Sequence, residues 1–408
     1  MYQDNSYTIE TNVDIVPTPK EKAFVEANCD ANVSELALKI RPKDGLRTIL
    51  VLRQIAGKQA MKRKMPLWAD NPDIVYPIHL SVEQCSSQFT ACYKREILQR
   101  LCSNIANNNF ADLTSGFGVD FSVMSEGFAH KYYVERNREL CNIAEHNFRV
   151  LGMQNYTVLC TNGMDYIQNT PLHFGAIYID PARRSESGSK IVHIQDCEPN
   201  VLEYMDVVTQ KADVVIIKLS PMLDISECML KLKNIAEIHV VAAHNECKEI
   251  IVVLKNSLEN TTPIIYASAD NADTIKFTKS DEQSIRPQLA DRVGEGMWLY
   301  EPNPAIMKAG AYNTLAQLFA LQPISVNSHL YVSDTYVEKF PGRSFKIVGT
   351  GTAKNFKNIK QANITVRNFP MKADELRKKL KIKDGGDIYL FATTLANGSK
   401  ILIETRKF

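Results

Sequence analysis

No stretch of the 408-residue sequence approaches the roughly 20 consecutive apolar residues that a membrane-spanning helix needs. The first residues, MYQDNSYTIETNVDIVPTPKEK, are acidic and hold no apolar core, so they do not read as a secretory signal. The nine cysteines at 29, 85, 92, 102, 141, 160, 197, 228 and 247 are odd in number, widely spaced and free of any CxxC. That excludes a disulfide framework and a closely spaced zinc site, and predicts reduced thiols in a cytoplasmic protein without a bound metal. Internal repeats and low-complexity tracts are also missing. What remains is 45% hydrophobic and 23% charged, an ordinary globular composition with length for two to four domains.

The net charge of +2 conceals an uneven distribution. Residues 41–64 hold eight Lys/Arg against one acid, and residues 331–408 hold 16 against 7. The rest of the chain is therefore acidic. Solvated faces produce such a pattern, and so does a phosphate-rich partner gripped by both segments.

From about Lys20 to Ile105 the apolar spacing is helical, and Ser81 three residues before Gln84 reads as a capping box. Beyond Asn107 short apolar runs alternate with helical stretches: FADLTSG, HKYYVE, TVLCTN, GAIYID and DVVIIKLS. Alternating strands and helices predict a parallel sheet covered on both faces. The next two runs, EIHVVAA and EIIVVLK, are joined only by HNECK and predict an antiparallel hairpin. Five strand–helix units closed by a hairpin is a seven-stranded, Rossmann-like layout. The expected divisions are an N-terminal helical region (1–105), the sheet domain (106–256), a ferredoxin-like α+β connecting region (257–329) and a basic α+β domain (330–408).

Five strand ends carry chemistry. In DLTSGFGVD (112–120) a strand runs into Asp112, and Gly116 and Gly118 let the backbone approach a ligand; Thr114 and Asp120 lie in the same turn. The third glycine of a dinucleotide turn is replaced by Phe121, which counts against a nicotinamide enzyme. Glu135, in YYVERN, ends the next strand 17 residues after Gly118, where an acid can accept both ribose hydroxyls. Arg136 follows it. Asp165, after strand TVLC, stands where an adenine amino group is read. In IDPARR (179–184), Pro181 fixes the turn and leaves Asp180 at the strand's C-terminal edge. Its carboxylate and the adjoining carbonyl can accept hydrogen bonds from a target N–H and orient the nitrogen lone pair. Arg183 and Arg184 can hold a phosphate, and Lys218 in KLSP lies on the same edge.

These motifs, with EQCSSQFTACYK (83–94) and FPGRSFKI (340–347), resemble the bacterial class I S-adenosylmethionine-dependent methyltransferases that carry a C-terminal THUMP-like domain. The resemblance covers roughly residues 30 to 408. It implies a class I methyltransferase sheet, S-adenosylmethionine bound by Asp112, Thr114, Gly116, Gly118, Asp120, Glu135, Arg136 and Asp165, and methyl transfer at Asp180–Pro181. THUMP domains are associated with RNA, which implies tRNA or rRNA as substrate, with Lys94, Arg183, Arg184 and Lys218 as contacts. A route through a nucleophilic cysteine is disfavoured, since none stands within 179–184. A methyltransferase acting on a protein or small molecule, and a non-catalytic RNA-binding module, remain the alternatives.

Overall fold

The structure is a computed structural model that describes residues 15–41, 44–183, 193–256 and 262–407. It divides into two compact units. The first takes the chain to Leu219 together with Leu230–Asn234 and the stretch from Val253; the second takes Ser220–Met229, Ile235–Val252 and the remainder.

The first unit opens with α1 (Pro19–Ala27), α2 (Val33–Lys39), α3 (Thr48–Lys64), α4 (Pro66–Ala69), α5 (His79–Gln84) and α6 (Gln88–Leu101). At α1 the Thr18 hydroxyl accepts from the Glu21 N–H while the Glu21 carboxylate accepts from the Thr18 N–H, a reciprocal cap reinforced by Pro19. The capping box expected at Ser81 is instead at Ser87, paired with Thr90, because the chain breaks at Cys85 and starts a second helix. Gly57 on α3 allows close approach of Tyr76, since a Cβ there would meet the Tyr76 Cβ at 2.4 Å. Tyr76 and Trp68 in turn pack on Phe117, with the Trp68 ring edge-on at 5.1 Å. The N-terminal helices are thus built onto the glycine turn.

The basic run 41–64 is largely neutralised where it lies. Arg47, Arg53, Lys58 and Lys62 pair with Glu21, Glu139, Glu26 and Asp30. Lys64 donates to the carbonyls of Val82, Glu83 and Cys85. Arg41 and Arg63 are the exposed cations left among the described residues.

The sheet of the first unit contains β1 (Asn109–Asp112), β2 (His130–Glu135), β3 (Tyr156–Cys160), β4 (Phe174–Ile179) and β5 (Ala212–Leu219), ordered 3-2-1-4-5 and all parallel. All six residues of β4 are buried, as befits a central strand covered on both faces. Helices α7 (Val119–Met124), α8 (Arg138–Val150) and α9 (Gly163–Asn169) follow β1, β2 and β3.

In the second unit, β6 (Ile235–Ala243) turns into β7 (Glu246–Lys255) through His244 and Asn245, both at positive φ, the geometry of a two-residue hairpin turn. The last three residues of β7 belong to the first unit, and β6 and β7 are the two strands of the expected hairpin. Two more extend them. β8 (Ile264–Ala269) pairs parallel with β6, and β9 (Ala272–Thr278) pairs antiparallel with β8. The connecting region expected at 257–329 is therefore not a single piece: its first part lengthens the sheet, and Tyr331–Ser333 pairs with Trp298–Pro302 in a separate C-terminal sheet. That sheet has seven strands, with Gly342–Gly351 and Lys400–Lys407 at its centre. The two final strands join through a short turn with Gly398 at positive φ.

The Glu21–Arg47 contact has a pH signature. The Arg47 guanidinium, with the Thr18 and Arg47 backbone bonds, holds the Glu21 carboxyl down from about 4.5 to about 2, against the opposing effect of burial. A depressed folded pKa stabilises fully above the unfolded value and is lost as pH falls through the folded one. Glu21→Gln should therefore lower stability near neutrality and show a shallower loss between about pH 4.5 and 2 than the wild type, read by circular dichroism along an acid titration. Parallel curves for the two proteins would contradict this.

Candidate active site

The functional side chains gather at the C-terminal ends of β1, β2, β4 and β5. Gly116 and Gly118 both adopt positive φ in the turn after β1. A Cβ on Gly118 would lie 2.9 Å from the Phe148 ring, so the turn sits flat on α8. The turn is tied to β2 by the Ser115 N–H donating to the Val134 carbonyl and by the Gly116 N–H donating to Glu135 Oε2 at 2.9 Å. The other Glu135 oxygen accepts from the Asn137 N–H at 2.8 Å. A carboxylate offers about four acceptor positions, so two backbone bonds orient Glu135 and leave capacity for two hydroxyl donors.

Glu135 faces a cavity of about 370 Å³, a volume typical of cofactor sites. Leu113, Thr114, Arg136, Asn162–Met164, Asp180 and a segment from Glu198 to Tyr204 complete its walls. Arg136 pairs with Glu198 at 2.7 Å across the rim. Asn162 caps α9 by accepting from the Met164 and Asp165 N–H groups. Asp165 is exposed on that first turn, one residue beyond the lining. Gly163 is required by close approach, because a Cβ would fall 2.0 Å from the Leu113 carbonyl oxygen.

A smaller cavity of about 60 Å³ shares Thr114 and Asp180 as walls and adds Ser86, Asp112, Asp120, Tyr178 and Lys218. The Asp180 N–H donates to Thr114 Oγ1 at 2.6 Å, and its Oδ2 accepts from Lys218 Nζ at 2.5 Å. Asp120 is buried. Its Oδ2 accepts from Ser86 at 2.7 Å and Tyr178 at 2.8 Å, with Lys218 at 3.9 Å, and Lys94 lies 3.2 Å from Oδ1. Burial pushes its carboxyl up, but Lys94, Lys218 and these hydroxyls outweigh that and hold it below the ordinary carboxylate range. Asp112 is the opposite case. Burial, with the charges of Asp120, Asp180 and Glu135, pushes its carboxyl well up, against the Thr114 N–H bond to Oδ1. Its Oδ2 is buried without a partner among the described residues.

Of the expected site residues, Thr114, Glu135, Arg136 and Asp180 line the larger cavity, and Asp112, Gly118, Asp120 and Lys218 line the smaller one. Pro181 is buried behind Asp180. Lys94 is not the surface phosphate contact expected of it: it is fully buried, donates to Ser86 at 3.0 Å and neutralises Asp120. Arg183 pairs through its backbone with Cys197, and Arg184 lies outside the described residues. Sequence reasoning missed Gly163, Ser86, Tyr178 and the 198–204 wall. Only Asn162-Gly163 gave a local signal, a capping residue followed by glycine just after a strand.

An α/β sheet with a glycine turn after β1, an acid closing β2, an acid after β4 and a terminal hairpin defines the class I methyltransferases. No curated protein sequence matches the chain. A ferredoxin-like domain model matches residues 298–341, and a THUMP domain-like model matches 342–407. A solved structure of a candidate methyltransferase from Porphyromonas gingivalis W83 is 31% identical over 95% of this chain and 97% of its own, with a TM-score of 0.80. More remote structures include an rRNA methylase from Streptococcus thermophilus, 11% identical over 40% of this chain and 94% of its own (TM-score 0.31). A candidate class I S-adenosylmethionine-dependent methyltransferase from Listeria monocytogenes is 10% identical over 59% and 83% (TM-score 0.35). Matches this remote carry no functional weight. The chain belongs to the class I S-adenosylmethionine-dependent methyltransferases that carry a C-terminal THUMP-like domain.

The buried position of Lys94 is testable by stability. Lys94→Met leaves Asp120 short of a buried cation and should destabilise the first unit by about 3–5 kcal/mol in denaturant unfolding. Lys94→Met combined with Asp120→Asn should recover part of that loss, whereas a surface contact would lose almost nothing in either variant.

Proposed function

We propose that the chain methylates a nucleobase nitrogen in RNA, with S-adenosylmethionine in the larger cavity and Asp180–Pro181 positioning the acceptor. The observation that carries this reading is the single space of about 370 Å³ walled by Glu135, the Asn162–Met164 turn and Asp180. It has an oriented acid on one side for a ribose and an acceptor acid on the other.

The residues present fit the cofactor. Glu135 keeps acceptor capacity for two ribose hydroxyls. Gly163, whose place no larger residue could take without displacing Leu113, lets the Asn162–Met164 turn pack directly on Leu113 at the cavity wall, with Asp165 the nearby carboxylate for an adenine amino group. Asp112, whose Oδ2 has no partner among the described residues, lies in the adjoining smaller cavity, beside Thr114 and Asp180. Thr114, Gly116 and Gly118 shape the turn between these groups, and Arg136 borders the rim. When bound, S-adenosylmethionine supplies an electrophilic methyl group on a sulfonium centre.

The chain's own contribution is orientation. Lys218 fixes one Asp180 oxygen and Thr114 fixes its backbone, which leaves the second carboxylate oxygen and the adjoining carbonyl to accept from an acceptor N–H. That aims the nitrogen lone pair and gives its departing proton a base. RNA as substrate is supported by the THUMP-like match at 342–407 and by the basic surplus of residues 331–408.

Incubation with methyl-tritiated S-adenosylmethionine and total cellular RNA should label RNA. Asp180→Asn should reduce the rate by roughly a hundredfold or more while leaving cofactor affinity nearly unchanged. Label found only in protein or small molecules would overturn the RNA reading, and an unimpaired Asp180→Asn would overturn the role of Asp180.

A further inference from the structure

Two of the nine cysteines stand together behind Glu135. Cys141 lies on the first turn of α8, and Cys160 ends β3. Cys160 is the direct partner of Glu135 in the parallel ladder of β2 and β3, one strand spacing of about 4.8 Å away. Carbonyls alternate in direction along a strand. That of Val134 points towards β1, where it accepts from the Ser115 N–H, so that of Glu135 points towards β3. The Cys141 thiol donates to the Glu135 carbonyl at 3.2 Å, and therefore sits on the side where Cys160 stands. Burial pushes the Cys141 thiol well up, and a hydrogen bond with the Cys160 thiol adds to this. The two differ in access: Cys141 is fully buried and Cys160 half-buried.

Cys141 also belongs to the turn that sets Glu135. Its N–H donates to the Asn137 carbonyl at 3.0 Å, and the Asn137 N–H donates to Glu135 Oε1 at 2.8 Å. The thiol thus holds the Glu135 backbone, and the residue that starts α8 holds its side chain. A sulfur–sulfur bond from Cys141 to Cys160 would remove the thiol donor from the Glu135 carbonyl and draw the first turn of α8 onto β3. The turn carrying Asn137 would move with it, and with that turn the carboxylate facing the larger cavity.

We propose that Cys141 and Cys160 form an oxidative modification site, a disulfide closed by peroxide that weakens the cofactor site through Glu135. The more accessible Cys160 sulfur, as thiolate, attacks one peroxide oxygen. The sulfur–oxygen bond forms, the oxygen–oxygen bond breaks, and the leaving hydroxide takes up the thiol proton as water. The Cys141 sulfur then attacks the Cys160 sulfenic acid. The sulfur–sulfur bond forms, the sulfur–oxygen bond breaks, and the leaving hydroxide takes the Cys141 proton as a second water. Two thiols lose two electrons, and one peroxide molecule gains them. The disulfide stands on the thiol geometry alone, whereas its effect on affinity rests on S-adenosylmethionine occupying the larger cavity.

The test treats the full chain with hydrogen peroxide and maps disulfides by mass spectrometry of unreduced peptides, for the wild type, Cys160→Ser and Cys141→Ser. Calorimetry reads S-adenosylmethionine affinity on reduced, oxidised and re-reduced protein. The wild type should give a Cys141–Cys160 peptide pair and lose roughly tenfold or more in affinity, because the bonds at stake are to a charged acceptor. Dithiothreitol should restore it, and both variants should keep their affinity through the treatment. In a thiol–disulfide buffer, saturating cofactor should disfavour the disulfide by the same factor, as linkage requires. Absence of the peptide pair after peroxide treatment would overturn the site. The disulfide with unchanged affinity would overturn its link to Glu135. An equal loss of affinity in oxidised Cys160→Ser would assign the effect to another thiol and contradict the proposal. Reduced wild type that binds no cofactor would overturn the effect on affinity together with the cofactor reading, while the peptide map still decides the disulfide.

Discussion

Asp120 is a buried carboxylate on which the site of the first unit depends. It joins Ser86 ahead of α6, Lys94 on α6, Tyr178 on β4 and Lys218 on β5. Without it, the buried Lys94 ammonium would lose its carboxylate and Lys218 would keep only Asp180 as a countercharge, so this carboxylate holds the two lysines together in the interior. Lys218 in turn fixes the Asp180 carboxylate at the strand edge where ligands of open α/β sheets bind. The chain of contacts explains why the N-terminal helices are part of the catalytic unit: they supply Lys94 and Ser86 as well as the aromatic wall behind Phe117.

The glycine turn shows a related economy of construction. Tyr133 and Phe148 close on the turn from β2 and α8, the Gly116 N–H holds Glu135, and Ser115 links β1 to β2. One short segment therefore sets the position of Glu135 and, through Thr114, that of Asp180. Two acids on separate strands face one space because the loop between them is pinned at both ends.

Much of this was legible in the sequence, for a physical reason. Parallel strands are apolar on both faces and end in abrupt polar turns, so β1, β2, β4 and β5, with Asp112, Glu135, Asp180 and Lys218 at their ends, stand out without knowledge of the fold. The hairpin of β6 and β7 was equally plain, since HNECK leaves room only for a turn. What escaped were facts of long-range pairing. The spacing of TTPIIYASAD marks a strand but does not say that β8 joins β6. The helical pattern around Lys94 marks a helix face but does not say that Asp120, 26 residues on, buries it. Counting charge over 41–64 likewise overstated a surface, because Glu21, Glu26, Asp30 and Glu139 come back to meet the cations. In the C-terminal unit Arg343 and Arg367 also converge on Glu301, a carboxylate no local pattern distinguishes.

The central claim is that Glu135, the glycine turn and the Asn162–Met164 segment form a site for S-adenosylmethionine. Isothermal calorimetry of the purified chain with that cofactor, alongside Glu135→Ala and a nicotinamide dinucleotide control, tests it most directly. The account predicts saturable binding by the wild type, a loss of at least about tenfold in Glu135→Ala from two missing charge-assisted hydrogen bonds, and no heat from the dinucleotide. Absence of wild-type binding, or equal affinity in the variant, would contradict it.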